Sequence, residues 1–311
     1  MIKMRVAIFG GTGFVGSYVT KLLLQEKCEI SLLARSEIKE KIASVENCKI
    51  TVSSIKSHVA IKETIKGCDY VIYNIGILRE FPKQGITYRA LQLNGLKAAV
   101  DESIKAGIKK FILMSANGIH ANGTPYQVTK YHAEEYLKKS ELNYTIFRPS
   151  VIFGDPQGKM EFATQLFNDM VRPPIPAINF YVGSSPIKGS VKMSPVHVED
   201  VAIAFYQALR KESTDYKTII LGGPETLSWY EILHHIMQTV KKKKIVFPMP
   251  IKFMKLAASL CQWIPFFPIT VDQLKMLEEG NIANSDNLRE LIEKPLTSFN
   301  ASNLSYLIKN D

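Results

Sequence analysis

The feature that most constrains this chain is the run Gly10-Gly11-Thr12-Gly13-Phe14-Val15-Gly16, because of what flanks it. Arg5-Val-Ala-Ile-Phe9 ahead of it is apolar and β-branched. Ser17-Tyr-Val-Thr-Lys-Leu-Leu-Leu24 behind it is amphipathic at helical spacing. Strand, tight turn and helix is the context in which glycines serve a dinucleotide rather than a plain corner. They read as Gly11-x-Gly13-x-x-Gly16 or as Gly10-x-x-Gly13-x-x-Gly16. On either reading an early glycine permits the sharp turn, Gly13 admits a pyrophosphate to the backbone, and Gly16 lets the helix lie close to the strand. The phosphates then meet free amides at the positive end of the helix. Gly10, Thr12, Gly13, Phe14, Val15 and Gly16 are the expected cofactor-binding residues of this loop.

The pattern continues beyond the loop. Apolar runs at Glu29–Ala34, Lys49–Ser53, Tyr70–Asn74, Phe111–Ser115 and Tyr144–Arg148 read as further strands, separated by helical patterns that include Ile86–Ala106 and Thr124–Lys139. Short apolar strands alternating with helices predict an α/β fold, a doubly wound, Rossmann-like parallel sheet covered on both faces. From Gly154 the pattern loosens, with Pro156, Pro173, Pro174 and Pro176 marking loops. A helix from Val198 to Leu209 follows, then a strand at Thr218–Leu221 and a helix opened by the capping box Ser228-x-x-Glu231. We therefore expect a nucleotide-binding domain over 1–153, to which 196–221 returns, and a small α/β substrate or partner lobe over 154–195 and 222–311.

An NAD site usually offers an Asp or Glu about 20 residues past the glycines for the ribose 2′-hydroxyl. Here the second strand ends Leu33-Ala34-Arg35-Ser36. A guanidinium and a hydroxyl stand where the acid would be, and Arg35 suits a 2′-phosphate and stacking on adenine. The expected cofactor is NADP (NADPH), with NAD the lesser candidate.

Tyr126-Gln-Val-Thr-Lys130 is the second informative stretch. Thr124 is a suitable N-cap, Pro125 suits the first helical turn, and Gln127 completes a T-x-x-Q box. Tyr126 and Lys130 are then i and i+4 and share a helix face. A free phenol, of pKa about 10, is ionised only about once in a thousand at pH 7. A neighbouring ammonium favours the phenolate and makes a usable acid/base. Lys130 is also placed to hold the ribose hydroxyls of a nicotinamide.

Taken in order, the glycine loop, Asn94 in Leu93-Asn94-Gly95, Tyr126/Lys130, Arg148-Pro-Ser-Val-Ile-Phe-Gly154 and Pro195-Val-His-Val-Glu-Asp-Val-Ala202 resemble an extended or atypical short-chain dehydrogenase/reductase. Asn74-Ile-Gly-Ile-Leu78, Gly222-Gly-Pro-Glu225 and Pro265-Phe-Phe-Pro-Ile-Thr-Val-Asp-Gln-Leu274 make the chain most similar to the group related to the NADPH-binding accessory subunit, alpha subcomplex subunit 9, of respiratory complex I. The resemblance implies an acid/base at Tyr126, a ribose ligand at Lys130 that lowers its pKa, and a proton relay through Asn94. It also implies cofactor contacts from Asn74, Ile75 and Gly76, and from Pro149, Val151 and Ile152 along the nicotinamide. Two departures bear on activity. The run after strand five is Ser115-Ala116-Asn117, so an amide stands where relatives place a substrate-polarising hydroxyl, and Ser115 is left as its substitute. Strand three ends Ser53-Ser54 in place of Gly-Asp near adenine. The expected function is oxidoreductase or epimerase chemistry on an unidentified carbonyl or hydroxyl compound, lipophilic or quinone-related. The alternative is a non-catalytic, NADPH-bound accessory or assembly subunit of a respiratory NADH dehydrogenase.

The excess of 39 Lys+Arg over 29 Asp+Glu is spread along the chain, and no helix-turn-helix, finger or RNP pattern accompanies it. It points to an anionic ligand or a membrane surface before nucleic acid. Four cysteines without a C-x-x-C pair imply a reducing compartment and no structural zinc, and His234-His235 lack further ligands at metal spacing. The early first strand leaves no room for a signal peptide, so the expected location is cytoplasmic, peripheral to an inner membrane face at most. In Ile251–Ile264, Lys252, Lys255, Ser259 and Gln262 form a narrow polar stripe among apolar neighbours. Such a helix is too short to span a bilayer. It is either buried against the lobe or, through 251–267, docked on a membrane or respiratory partner with the Lys241–Lys244 run beside it.

Overall fold

A computed structural model describes residues 3–35, 47–187, 189–261 and 270–310. Ser36 and residues 262–267, which carried expectations from the sequence, lie outside the described residues. The chain divides into two units, the first built from 1–148, 199–220 and 290–293, the second from 149–198, 221–289 and 294–311. The break therefore falls at the end of the sixth strand, a few residues before the expected one, and four residues near the C-terminus join the first unit.

The first unit begins β1 (Arg5–Phe9), α1 (Phe14–Gln25), β2 (Glu29–Ala34), β3 (Cys48–Val52), α2 (His58–Ile65) and β4 (Tyr70–Tyr73). A π-wound stretch (Arg89–Asn94) leads directly into α3 (Gly95–Lys105), followed by β5 (Lys110–Met114), α4 (Pro125–Lys138) and β6 (Tyr144–Pro149). The sequence reads 86–106 as one helix, and the structure divides it at Asn94. Beyond β6 come β7 (Ile152–Phe153), α5 (Phe162–Leu166), β8 (Ala177–Tyr181), β9 (Lys192–Met193) and β10 (Val196–His197). Then α6 (Val198–Arg210) and β11 (Lys217–Leu221) return to the first unit. The second unit resumes with β12 (Leu227–Ser228), α7 (Trp229–Thr239), β13 (Val246–Pro250), α8 (Ile251–Cys261) and α9 (Val271–Glu279), before α10 (Asp286–Ile292).

The main sheet has the order β11-β6-β5-β4-β1-β2-β3, and β1 through β6 pair in parallel. Parallel strands buried on both faces need no alternation, and β1 and β5 bury every residue from Val6 to Phe9 and from Lys110 to Met114. Phe9, Tyr73 and Phe111 pack ring to ring across three strands, at 5.8 and 6.5 Å between centroids. Because β1 lies between β2 and β4, the chain reverses its winding there. The crevice outside the carboxyl ends at that point is where an open α/β sheet binds ligands.

The second unit has its own core, in which Phe153, Phe167, Phe180, Trp229 and Phe299 are buried together. α7 starts at the expected box, with Ser228 and Glu231 capping each other reciprocally. β8 and β13 pair in parallel as a two-stranded sheet. No described helix is long and apolar enough to cross a membrane.

Candidate functional site

Strand polarity places Gly10, Arg35, Asn74 and Ser115 directly after β1, β2, β4 and β5, on one edge of the sheet. The amide of Asn74 donates to the carbonyl of Phe9 (2.8 Å), so the chain beyond β4 runs alongside the glycine turn. Gly10 has φ +87°, and a Cβ there would lie 2.7 Å from the Asn74 carbonyl oxygen. At Gly16 a Cβ would lie 2.1 Å from the Gly10 carbonyl oxygen, which is why α1 can start so close to the strand. Gly13 differs: among the described residues a Cβ there would meet the Gly10 carbonyl oxygen alone within 4 Å, at 3.3 Å. Gly13 is also the N-cap of α1, no side chain caps that helix, and no acidic residue stands in its first turn. The turn thus joins side-chain-free backbone to an uncapped, positive helix end, a fit for a diphosphate. Arg35 is exposed at the carboxyl end of β2.

At β5 the sequence logic is local. Thr124 and Gln127 form a reciprocal capping box that starts α4, and the Gln127 side chain also donates to the Gly118 carbonyl (2.9 Å), fastening the loop that follows Ser115. α4 then presents Lys130, whose ammonium donates to the carbonyl of Met114 at 2.9 Å. Ser115 is the next residue; its hydroxyl is buried and has no hydrogen-bond partner among the described residues. A buried hydroxyl without a partner is costly unless something else satisfies it. Gly76 adjoins the same ammonium, since a Cβ built there would lie 3.7 Å from Lys130 Nζ. Lys130, Ser115 and the Asn74–Gly76 segment are therefore brought together. Tyr126 sits one turn before Lys130 and packs edge-on against Tyr88, with ring centroids 5.6 Å apart.

The electrostatics of the pair differ from the sequence expectation. Burial drives the Lys130 pKa down to about 8, with Glu134 opposing. Burial, with a smaller contribution from Tyr88, pushes the Tyr126 phenol above its ordinary range. Desolvation disfavours the phenolate, so the phenol holds its proton at neutral pH. Beneath the pair, Glu134 is fully buried and gripped by Arg148 through two bonds, at 2.9 and 2.6 Å.

Asn94 is exposed at the end of the π-wound stretch. π-Turns inside helices are frequent at functional sites. Asn117 is half-buried in the loop after β5. Pro149, Val151 and Ile152 fall in the second unit, where Val196 donates to the Val151 carbonyl (2.9 Å). Three residues escaped the sequence reading. Tyr88 shields Tyr126. Buried Gln92 donates to the Ile77 carbonyl (2.9 Å) while its own amide oxygen lacks a partner. Gln127 reads as a cap, but its second bond to Gly118 carries no sequence signal. Gln92 had one available signal, an amide inside an otherwise apolar helical stretch.

The fold and this edge define a pyridine-dinucleotide protein, and the comparisons agree. Residues 10–172 match the model described as NAD(P)H-binding, and the chain belongs to that family, with an epimerase-like short-chain dehydrogenase/reductase fold. Among curated relatives it is similar to the mitochondrial NADH-ubiquinone oxidoreductase 40 kDa subunit of Neurospora crassa, 24% identical over 84% of this chain and 67% of that protein. It is also similar to the decarboxylating sterol-4-alpha-carboxylate 3-dehydrogenase of Dictyostelium discoideum, 23% identical over 67% of this chain and 68% of the relative. Among solved structures it shares the fold of the UDP-glucose 4-epimerase of Thermus thermophilus, TM-score 0.71 at 17% identity, covering 98% of each chain.

Proposed function

We propose that this protein is an NADP(H)-dependent oxidoreductase or epimerase-type enzyme acting on a carbonyl or hydroxyl compound. The observation that supports this most is the buried, unpartnered hydroxyl of Ser115, adjoining the carbonyl that receives Lys130, on the helix that carries Tyr126. The turn from Gly10 to Gly16 and the uncapped start of α1 would hold the diphosphate, and Arg35 with Ser36 the 2′-phosphate. Lys130 would hold the nicotinamide ribose. When bound, the nicotinamide gives or takes the hydride. Tyr126 Oη passes a proton to the substrate oxygen or removes one from it. Ser115 Oγ donates a hydrogen bond to the same oxygen, and Asn94 and Lys130 connect that proton to solvent. A phenol that stays protonated at neutral pH suits the reducing direction, in which it acts as acid. The sterol dehydrogenase relative supports a lipophilic substrate.

The test is a screen of lipophilic ketones, quinones and nucleotide sugars with NADPH, scored against Tyr126→Phe. Turnover that falls at least about a hundredfold in the variant supports the proposal; turnover unaffected by the variant overturns it. A second reading is an accessory subunit in which the nucleotide only stabilises the fold. Asn117 at the usual hydroxyl position and the 40 kDa relative, alignable over 84% of the chain, favour it. That reading predicts NADPH that co-purifies and raises the melting temperature equally in wild type and Tyr126→Phe, without turnover.

A further inference from the structure

We propose that the second unit docks on an anionic lipid bilayer through the surface formed by residues 241–260. The inference is independent of the nucleotide site, because every residue involved belongs to the second unit and none is a cofactor or catalytic candidate. From Ile232 to Val271 the sequence contains no Asp or Glu, yet it carries Lys241, Lys242, Lys243, Lys244, Lys252 and Lys255. The structure sorts these lysines. Lys244 is committed to the carbonyls of Met170 (2.8 Å) and Pro173 (2.5 Å), Lys242 lies over the Phe167 ring, and Lys255 is paired with Glu278 on α9. Lys241, Lys243 and Lys252 are exposed, with no ion pair to a described residue.

The apolar side chains of the same stretch are sorted as sharply. On α8, Ile251, Met254 and Ala258 pack into the core of the unit. Phe253, Leu256 and Leu260, spaced i, i+3 and i+7, form the opposite face, and each is at least 60% exposed. Ile245 and Phe247, just ahead on the approach to α8 and on β13, are 75% and 55% exposed. Of the polar stripe, Lys255 is drawn to Glu278 while Lys252 and Ser259 are exposed beside an outward face that is largely hydrocarbon. α8 is about 16 Å long, too short to cross a bilayer but suited to lie in its surface. Exposed hydrocarbon beside lysines free of carboxylates complements lipid phosphates above acyl chains. Association with a second copy would leave those lysines facing their own kind.

The experiment is co-sedimentation of the full chain with phosphatidylcholine vesicles, with and without 30% phosphatidylglycerol, at low and high salt. The expected result is binding that requires phosphatidylglycerol and falls with salt. Phe253→Ser/Leu256→Ser/Leu260→Ser should reduce it by about a hundredfold, and Lys241→Gln/Lys243→Gln by about twenty-five-fold, about fivefold for each lysine. Circular dichroism verifies that each variant is folded. Should the triple variant fail to fold, Phe253→Trp provides the same test in an otherwise intact surface, its emission shifting to the blue on anionic vesicles. No binding at low salt, binding indifferent to the α8 substitutions, or an unshifted Phe253→Trp emission overturns the proposal. So does concentration-dependent dimerisation, lost in the triple variant, in a protein that ignores vesicles.

Discussion

The ammonium of Lys130 reaches across from α4 to the carbonyl of Met114 at the end of β5, one residue before Ser115, whose buried hydroxyl has no partner among the described residues. The pairing gives Lys130 a titration that can be followed through stability. Its folded pKa, about 8, lies below its ordinary 10.5 because burial disfavours the charge. Between those values the unfolded chain holds the proton and the folded chain does not, so stability rises with pH through that window. Relative to Lys130→Met, wild type should gain about 2 kcal/mol between pH 7.5 and pH 9.5. Urea denaturation of both proteins at the two pH values checks this; parallel curves would contradict it.

Gly10 and Gly13 should separate folding from nucleotide binding. Gly10→Ala sets a Cβ against the Asn74 carbonyl in a left-handed backbone, and should destabilise the fold by about 1–3 kcal/mol. Gly13→Ala meets only one atom, at 3.3 Å. It should cost less stability than Gly10→Ala while weakening NADPH at least about tenfold, as read by nucleotide fluorescence, because the methyl group stands where the diphosphate must approach.

Arg35→Ala should weaken NADP(H) far more than NAD(H). Loss of one charge-assisted contact to a 2′-phosphate is worth about 1.5–3 kcal/mol, roughly ten- to a hundredfold in Kd. Calorimetric titration with both nucleotides checks it, and equal losses would refute the selectivity.

Arg148→Met should be severe although Arg148 is not itself a candidate for binding or catalysis. It strands the buried carboxylate of Glu134 with only the longer Lys138 contact, 3.5 Å. Breaking one side of a buried pair costs about 3–5 kcal/mol. Chemical denaturation reads the loss, and Glu134→Gln/Arg148→Met should recover much of it.

The parallel sheet, the glycine turn and the α4 cap were legible because each is encoded by neighbours in the chain. β-Branched runs, glycine spacing and Thr124-x-x-Gln127 are short-range signals. What escaped depends on partners distant in sequence. The Tyr126 pKa is set by burial and by Tyr88, which the spacing of Tyr126 and Lys130 cannot register. The π-wound turn at Arg89–Asn94 has the same apolar periodicity as an α-helix over so short a span. For α8 the periodicity finds a polar stripe with apolar residues on both sides of it, and spacing alone does not say that Ile251 and Ala258 are buried while Phe253, Leu256 and Leu260 are exposed. Packing against the core of the second unit selects Ile251, Met254 and Ala258.

The order in which the sheet is sewn has a consequence during synthesis. Lys217 follows Pro149 by 68 positions, yet β11 is the strand that covers the outer edge of β6. At roughly 5–20 residues per second, a ribosome needs about 3–14 s to deliver it. Throughout that interval the unpaired amides and carbonyls of Tyr144–Pro149 offer a template to any neighbouring nascent chain. Productive yield should therefore fall when translation pauses between those strands, and chaperones that shield bare strand edges should rescue it.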